Sequence, residues 1–481
     1  MNPSNVTADE IWPDDCPMSP QLGWLTRRRI VLGTLAWLGI FSLGSILVAN
    51  PFSDERSAAA AIDFWHVMYL HGMLIGLVGI TLLLAVSVFQ LCWKHACLPS
   101  AGAVVVATLL DTIGGIFDTR IPGAEVAMWT QIIGFFALDE MLIVMGLAFF
   151  FDWRATRPAS RRLSFFVAWA ASISMLVAAI MGHLAGWILE FGNHPSVIGL
   201  YAKLVAENVG ALESNLITSH SHDMVVAWMA MVVATSVAFY AERQPAAEAL
   251  WLRRLGLGMV LLGTVGFTAI YAWAGFTSWV TPTLFSSAHG VNGLAADDLV
   301  TGFAMTGGLL ALIGAVLGRK TGPSLPVVAA TWSWMLTVGL VVATGYWIEF
   351  HETFFGAGDA HAGGAAADAV FTWFHQDIGL MLFPAMTLVM LITARYVLPR
   401  GQNAVAAAAI AGSSLLFLAG MIYLFVDKTI HGPGYELATL GLAVMATSFL
   451  ATIWWGAKER WFAGSRRNAQ TGAAMDKARE F

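Results

Sequence analysis

The chain is dominated by a succession of apolar segments, and each is long enough to cross a lipid bilayer. Hydrophobic residues make up 58% of its 481 residues and charged residues only 12%, which is too apolar for a soluble protein of this length. Backbone polar groups must be paired inside hydrocarbon, so apolar segments of about 20 residues predict transmembrane α-helices. We therefore predict an all-α membrane protein with twelve transmembrane helices, at residues 28–49, 64–93, 101–118, 125–151, 163–192, 215–241, 251–278, 296–318, 325–350, 366–397, 403–426 and 434–457.

The basic residues predict how these helices are oriented. If every segment spans, most lysines and arginines fall in loops on one side of the membrane. The positive-inside rule makes that side cytoplasmic and predicts a multi-pass inner-membrane protein with both termini in the cytoplasm. The predicted organisation is a cytoplasmic segment at 1–26, a twelve-helix domain at 27–457 and a cytoplasmic tail at 458–481. The loops on the opposite side contain only four basic residues, which are Arg56, Arg120, Lys203 and Lys428.

Three histidines recur about 150 residues apart, each near the start of a long apolar segment. They are His71, His222 and His375, in the predicted helices 2, 6 and 10. This spacing divides the twelve helices into three pseudo-repeats of four. A second similarity links the ends of helices 5 and 9, at residues 186–191 and 345–350. Imidazoles at the same depth in each repeat predict a cofactor or metal site near a central axis.

Most of the other histidines fall on the same predicted side of the membrane. Eleven of the twelve lie in the outer half or in outer loops, and histidine is the commonest side-chain ligand for transition metals and heme iron. His183 and His220 join His222 as candidate metal ligands. The alternative for each is a structural role, in which the ring meets headgroups, water or a hydrogen-bond partner.

Acidic residues within the apolar segments form a second group of candidates. Asp111, Asp139, Glu140 and Asp223 lie there, and a charge near the membrane centre costs about 2.5–3.5 kcal/mol on insertion scales. Such residues are expected to face a cavity or a partner. For Asp139 and Glu140 a proton path and a structural ion pair are both open. The structural role is favoured, since no intramembrane lysine or arginine marks a route.

The predicted topology resembles the catalytic subunit of heme-copper oxidases and nitric oxide reductases. The run Tyr69-Leu70-His71-Gly72-Met73 is similar to that family's ligand motif on helix 2. The resemblance implies that His71 and His375 are the axial ligands of a low-spin heme of b type, and that His222 is a ligand of copper, with iron as the alternative to copper. The chain departs from the family at the high-spin heme and copper ligands. Trp373 stands two positions before His375, and the predicted helix 7 has no histidine.

The resemblance implies an inner-membrane heme-binding oxidoreductase of respiratory type that reduces oxygen or nitric oxide, or a degenerate relative that keeps one heme. A quinol or a periplasmic cytochrome would be the electron donor, and additional membrane subunits are candidate partners. The chain has no Cys-x-x-Cys-His sequence for covalent heme and no basic stripe for nucleic acid. The alternative is a membrane transporter or metal-binding protein whose outer histidines form a periplasmic vestibule.

Overall fold

A computed structural model describes twelve parts of the chain, and all of their regular secondary structure is helical. Nine helices in these parts are long and apolar enough to cross a membrane, which confirms the all-α membrane class. The predicted count of twelve spans is not reached there, and the predicted segment 101–118 lies outside the described residues except for Val106. The described parts are residues 26–48, 67–91, 106, 125–153, 159–191, 209–242, 249–277, 290–318, 323–345, 373–397, 399–426 and 432–477.

The helices correspond to eleven of the predicted segments. The last one continues well beyond its predicted end at 457, although its membrane-length apolar part ends at Lys458. The elements are α1 Arg27–Val48, α2 Val67–Val88, α3 Glu125–Asp152, α4 Ala159–Phe191, α5 Val209–Glu242, α6 Leu250–Thr277, α7 Gly290–Leu317, α8 Leu325–Gly345, a π-helix Trp373–Leu382 that continues as α9 Phe383–Tyr396, α10 Pro399–Phe425 and α11 Pro433–Lys477.

Contacts divide the chain into two compact units. One unit comprises Met1–Met73 with Ser324–Phe481, and the other comprises Leu74–Pro323. In the first, α8 packs against α9 and α10, and α11 packs against α10 and α1. In the second, α4 packs against α5, and α6 packs against α7. The predicted groups of four helices therefore do not coincide with these two units.

Two of the helices that carry the repeated histidines are the most enclosed of the nine described spans. In the spans Ser219–Tyr240 and Trp373–Tyr396, 94% of a membrane-length window is buried, against 39–56% for the other seven spans. Helix α2 is equally enclosed, since its side chains from Leu82 to Ala85 have no exposed surface. Within the second unit, Trp228 on α5 donates a hydrogen bond of 3.0 Å to the Thr81 hydroxyl on α2.

Helices α3 and α6 expose large apolar side chains, as helices in contact with lipid do. Phe136 on α3 is 63% exposed and Leu262 on α6 is 59% exposed. On their inner sides, small residues let helices approach closely. A Cβ added to Gly256 on α6 would lie 2.4 Å from the backbone nitrogen of Ala311 on α7. The close packing of α6 on α7 therefore depends on glycine at this position.

The π-helix has a local cause in the sequence. Pro384 occupies the first turn of α9, and a proline has no amide hydrogen to donate to the carbonyl four residues earlier. The proline ring also disfavours regular α-helix immediately before it. The chain upstream adopts the wider π-helix over Trp373–Leu382, and such segments occur often at functional sites. His375 lies on this widened turn.

Candidate functional site

His375 is held by a hydroxyl on the neighbouring helix of its own unit. Its Nδ1 atom lies 2.8 Å from Oγ1 of Thr344 on α8. The Thr344 side chain is fully buried, whereas His375 is partly exposed. Phe374, the preceding residue, is fully buried and packs against Tyr423 of α10 at 5.9 Å between ring centroids. These contacts fix the start of the π-helix against α8 and α10.

The bonds of Thr344 indicate which nitrogen of His375 carries the proton. The Thr344 hydroxyl lies 2.6 Å from the carbonyl oxygen of Leu340. Since a hydroxyl has one hydrogen, and a carbonyl can only accept, Thr344 donates to Leu340 and accepts from Nδ1–H of His375. The neutral ring then has its lone pair on Nε2. Histidines that bind metals almost always donate their other ring N–H to a protein acceptor in this way.

His71 lies in the second turn of α2, and its side chain is outside the described residues. The predicted axial pair of His71 and His375 is therefore not tested, and it stays a prediction. What the structure describes is one member of that pair, with its ring orientation fixed by Thr344.

In the second unit, His183 on α4 is paired with Asp139 on α3. Nε2 of His183 lies 2.5 Å from Oδ2 of Asp139, so Nε2–H donates to the carboxylate. The His183 ring stacks on Phe136, with 5.6 Å between centroids and 19° between the planes. The other carboxylate oxygen, Oδ1, is buried and has no hydrogen-bond partner among the described residues. The favoured structural role of Asp139 is thus supported, with histidine as its partner.

His220 on α5 is fixed against α4 close to the same pair. Its Nδ1 lies 2.8 Å from the carbonyl oxygen of Ala178, which makes Nδ1 the donor and leaves the lone pair of the neutral ring on Nε2. The ring packs on Gly182, where an added Cβ would lie 2.5 Å from Nδ1. His183 and Asp139 are near enough to interact electrostatically with His220. These side chains form one polar cluster, the His183 cluster, within α3, α4 and α5.

His222 lies on another side of α5, against α6. Its ring stacks on Tyr271 with 5.7 Å between centroids and 6° between the planes, and Tyr271 in turn stacks on Phe267 at 4.3 Å. The next residue, Asp223, is fully buried and accepts a 2.7 Å hydrogen bond from Thr268. Its Oδ2 has no hydrogen-bond partner among the described residues. His222 is therefore supported by aromatic packing at a place separate from the contacts of His220.

The structure thus brings two of the three predicted metal ligands together, namely His183 and His220, and places His222 elsewhere on α5. No group of three or more histidine, cysteine or acidic residues in the described ranges could hold a metal ion. A metal site that uses His183, His220 or His222 with ligands from other ranges stays a prediction.

Sequence reasoning did not single out Thr344, Thr268 or Tyr271, although each contacts a predicted residue. Their signal in the sequence is weak, because a threonine or tyrosine in an apolar helix more often bonds to its own helix backbone or simply packs. Pro384, which lies inside a predicted helix, is a stronger signal. It marks the irregular turn on which His375 lies.

Comparisons with known proteins add no relationship to this geometry. No protein-family model, curated protein or solved structure matches the chain.

Proposed function

We propose that this chain is an integral membrane heme protein that takes part in the reduction of a small gas such as oxygen or nitric oxide. The observation that supports the proposal best is His375. It lies on a π-helix in an almost fully buried span, with Nδ1–H bonded to Thr344. A hydrogen bond at Nδ1 fixes the tautomer in which Nε2 carries the lone pair, and this is the support that an axial histidine ligand of heme needs.

The residues around His375 fit a heme in their donor chemistry. His375 would supply one axial nitrogen, and His71 on α2 is the proposed second ligand. Heme bound there would supply one-electron chemistry, while Thr344 fixes the ring of His375 and the buried Phe374 holds the turn in place. His222, near the buried carboxyl of Asp223, is the proposed ligand of a second metal, copper or iron. The resemblance to heme-copper oxidases adds the expectation of twelve spans in three repeats, in a bacterial-type inner membrane.

The visible spectrum of the purified full-length protein tests this function. We expect a reduced-minus-oxidised band of six-coordinate heme, and loss of heme from the variants His375→Ala and His71→Ala. His289, which we place in an outer loop from the sequence, provides the control, and His289→Ala should retain the heme. A colourless protein from heme-supplied cells would contradict the proposal, as would full heme retention by His375→Ala.

A different observation supports a second function, which is cation transport. The outer histidines and the intramembrane acidic residues would then bind and move the cation. Asp139 and Asp223 each keep one buried carboxylate oxygen without a hydrogen-bond partner among the described residues. Intramembrane carboxyls of this kind mark ion and proton pathways in transporters. This function would use His183 and His220 within the predicted periplasmic vestibule of outer histidines, and it would not require heme.

Uptake of protons or Zn²⁺ distinguishes the two functions. If the chain is a cation transporter, proteoliposomes should show proton or Zn²⁺ uptake that Asp223→Asn abolishes, and heme loss in His375→Ala should leave this uptake unchanged. If the chain is only a heme protein, neither the unmodified protein nor Asp223→Asn should take up protons or Zn²⁺. Glu140→Gln provides the control, since Glu140 is exposed on α3.

A further inference from the structure

The second unit contains an apolar groove with three arginines, at one end of α4, α5 and α6. The groove has a volume of about 290 Å³ and is lined by apolar side chains together with Arg162, Arg253 and Arg254. None of its lining residues is acidic. The apolar side chains that line it are Leu163, Phe166, Val237, Leu250 and Leu257.

Arg253 distinguishes this groove from an ordinary basic helix end. The side chain is only 3% exposed, and its Nη2 atom is buried without a hydrogen-bond partner among the described residues. Its aliphatic stem packs on Gly314 of α7, where an added Cβ would lie 2.6 Å from Cγ of Arg253. A buried guanidinium without a counter-charge is costly. Packing therefore fixes the arginine in a buried position, and among the described residues its Nη2 has no partner, so a bound anion would stabilise it.

The position of the groove in the membrane narrows the class of anion. The candidate spans Arg162–Ala185 and Leu250–Trp273 begin here, and Ser219–Tyr240 ends here. Trp251, beside Arg253, is 64% exposed, and tryptophans are enriched at the level of the lipid headgroups. The groove thus combines arginines at headgroup depth with apolar side chains that extend into the hydrocarbon. Free phosphate would satisfy only the arginines.

We propose that this groove binds one anionic phospholipid, with its phosphate at Arg253, Arg254 and Arg162 and an acyl chain along Phe166 and Leu257. Basic pockets between transmembrane helices on the cytoplasmic side bind acidic headgroups in this way, and arginine is suited to the forked recognition of phosphate. The site lies on the cytoplasmic side in the predicted orientation. It does not depend on the heme proposal.

The test measures lipid preference in the full-length protein. The protein is purified in a zwitterionic detergent and titrated with phosphatidylglycerol or with phosphatidylcholine of the same acyl chains. Retained lipid is counted by native mass spectrometry, and Tm is measured in parallel. We expect one phosphatidylglycerol to be retained in preference to phosphatidylcholine. The preference should fall about tenfold or more in Arg253→Met, which keeps an apolar stem against Gly314 but removes the charge.

A second variant and a control keep the test decisive. Arg162 and Arg254 are exposed, so the double variant Arg162→Gln/Arg254→Gln should fold normally and lose about fivefold or more of the preference. The control is Lys458→Gln, because Lys458 lies over the Trp455 ring in the other unit. This variant should keep the preference for phosphatidylglycerol unchanged. Equal retention of both lipids, or an unchanged preference in both groove variants, would show that the proposal is wrong. A rise in Tm with inorganic phosphate equal to that with phosphatidylglycerol would also overturn the lipid assignment.

Discussion

The imidazole of His183 and the carboxylate of Asp139 lie 2.5 Å apart and join α4 to α3. Most of the outward face of α3 is apolar. The pair therefore gives the interface a specific register that apolar packing alone does not. The stacked ring of Phe136 covers one face of His183 and restricts the orientation in which it can meet the carboxylate.

Replacing Asp139 by asparagine should weaken this interface. Asparagine keeps the shape of the side chain but accepts a weaker hydrogen bond from His183. The loss should be about 1 kcal/mol, because interhelical hydrogen bonds in membranes average about 0.6 kcal/mol and charged acceptors strengthen them. Thermal unfolding in detergent measures the effect as a lower Tm. The adjacent Glu140 is exposed, and Glu140→Gln should unfold as the unmodified protein does. Equal Tm values for the two variants would refute the role given to the pair.

The sequence indicates that Asp139 needs a partner but not which partner it has. A carboxylate in an apolar helix must be satisfied, and that requirement can be seen in one segment. The identity of the partner depends on how α3 and α4 pack, which their nearly uniform apolar faces do not specify. For this reason the lack of an intramembrane lysine or arginine in the sequence does not identify His183 as the partner. The helical class and most helix positions, in contrast, follow from the length and composition of single segments.

A methyl group at Gly182 should disrupt the packing of His220 in the His183 cluster. The added Cβ would lie 2.5 Å from Nδ1 of His220 and 2.9 Å from its Cγ, so the ring must move away from the Ala178 carbonyl. We expect Gly182→Ala to lower stability by about 1–3 kcal/mol, as overpacking does. Gly146 on α3 has no atom within 4 Å of an added Cβ. Gly146→Ala should therefore leave Tm unchanged or slightly raised, and a similar loss in both variants would contradict the assigned contact.

The hydrogen bond between Trp228 and Thr81 should contribute measurably to the packing of α2 on α5. Both side chains are fully buried, and Thr81 donates to Leu77, so it accepts from Trp228. The variants Trp228→Phe and Thr81→Val and their combination form a double-mutant cycle. We expect a coupling energy of about 0.6 kcal/mol, and at most about 1.7 kcal/mol, from reversible unfolding in mixed micelles. A coupling energy of zero would mean that the contact adds no stability beyond packing.

The hydrogen bond between His375 and Thr344 can be found only from the tertiary structure. Its helical repeat position can be read from the sequence, but the acceptor for Nδ1–H comes from α8, and Thr344 is one of many threonines in apolar helices. The π-helix could be anticipated at Pro384, because a proline inside a long helix removes a backbone donor. Its extent over ten residues depends on packing against neighbouring helices, which no local pattern describes.

Replacing Thr344 by valine tests whether Thr344 orients His375 as a heme ligand. Valine has nearly the same shape but cannot accept from Nδ1–H, so the ring loses the bond that fixes its tautomer and strengthens Nε2 as a ligand. If heme is bound as proposed, Thr344→Val should weaken heme retention about 10- to 100-fold, the range typical for such supporting residues, and shift the midpoint potential.

Thr344→Ser is the matched variant, because serine keeps the hydroxyl. It should restore both heme retention and the midpoint potential toward those of the unmodified protein. A merely structural role for Thr344 would lower Tm in the valine variant without moving the potential of the heme that remains, so the potential separates the two roles. If the valine and serine variants have the same midpoint potential as the unmodified protein, Thr344 does not position a heme ligand, and its contact with His375 no longer supports a heme site.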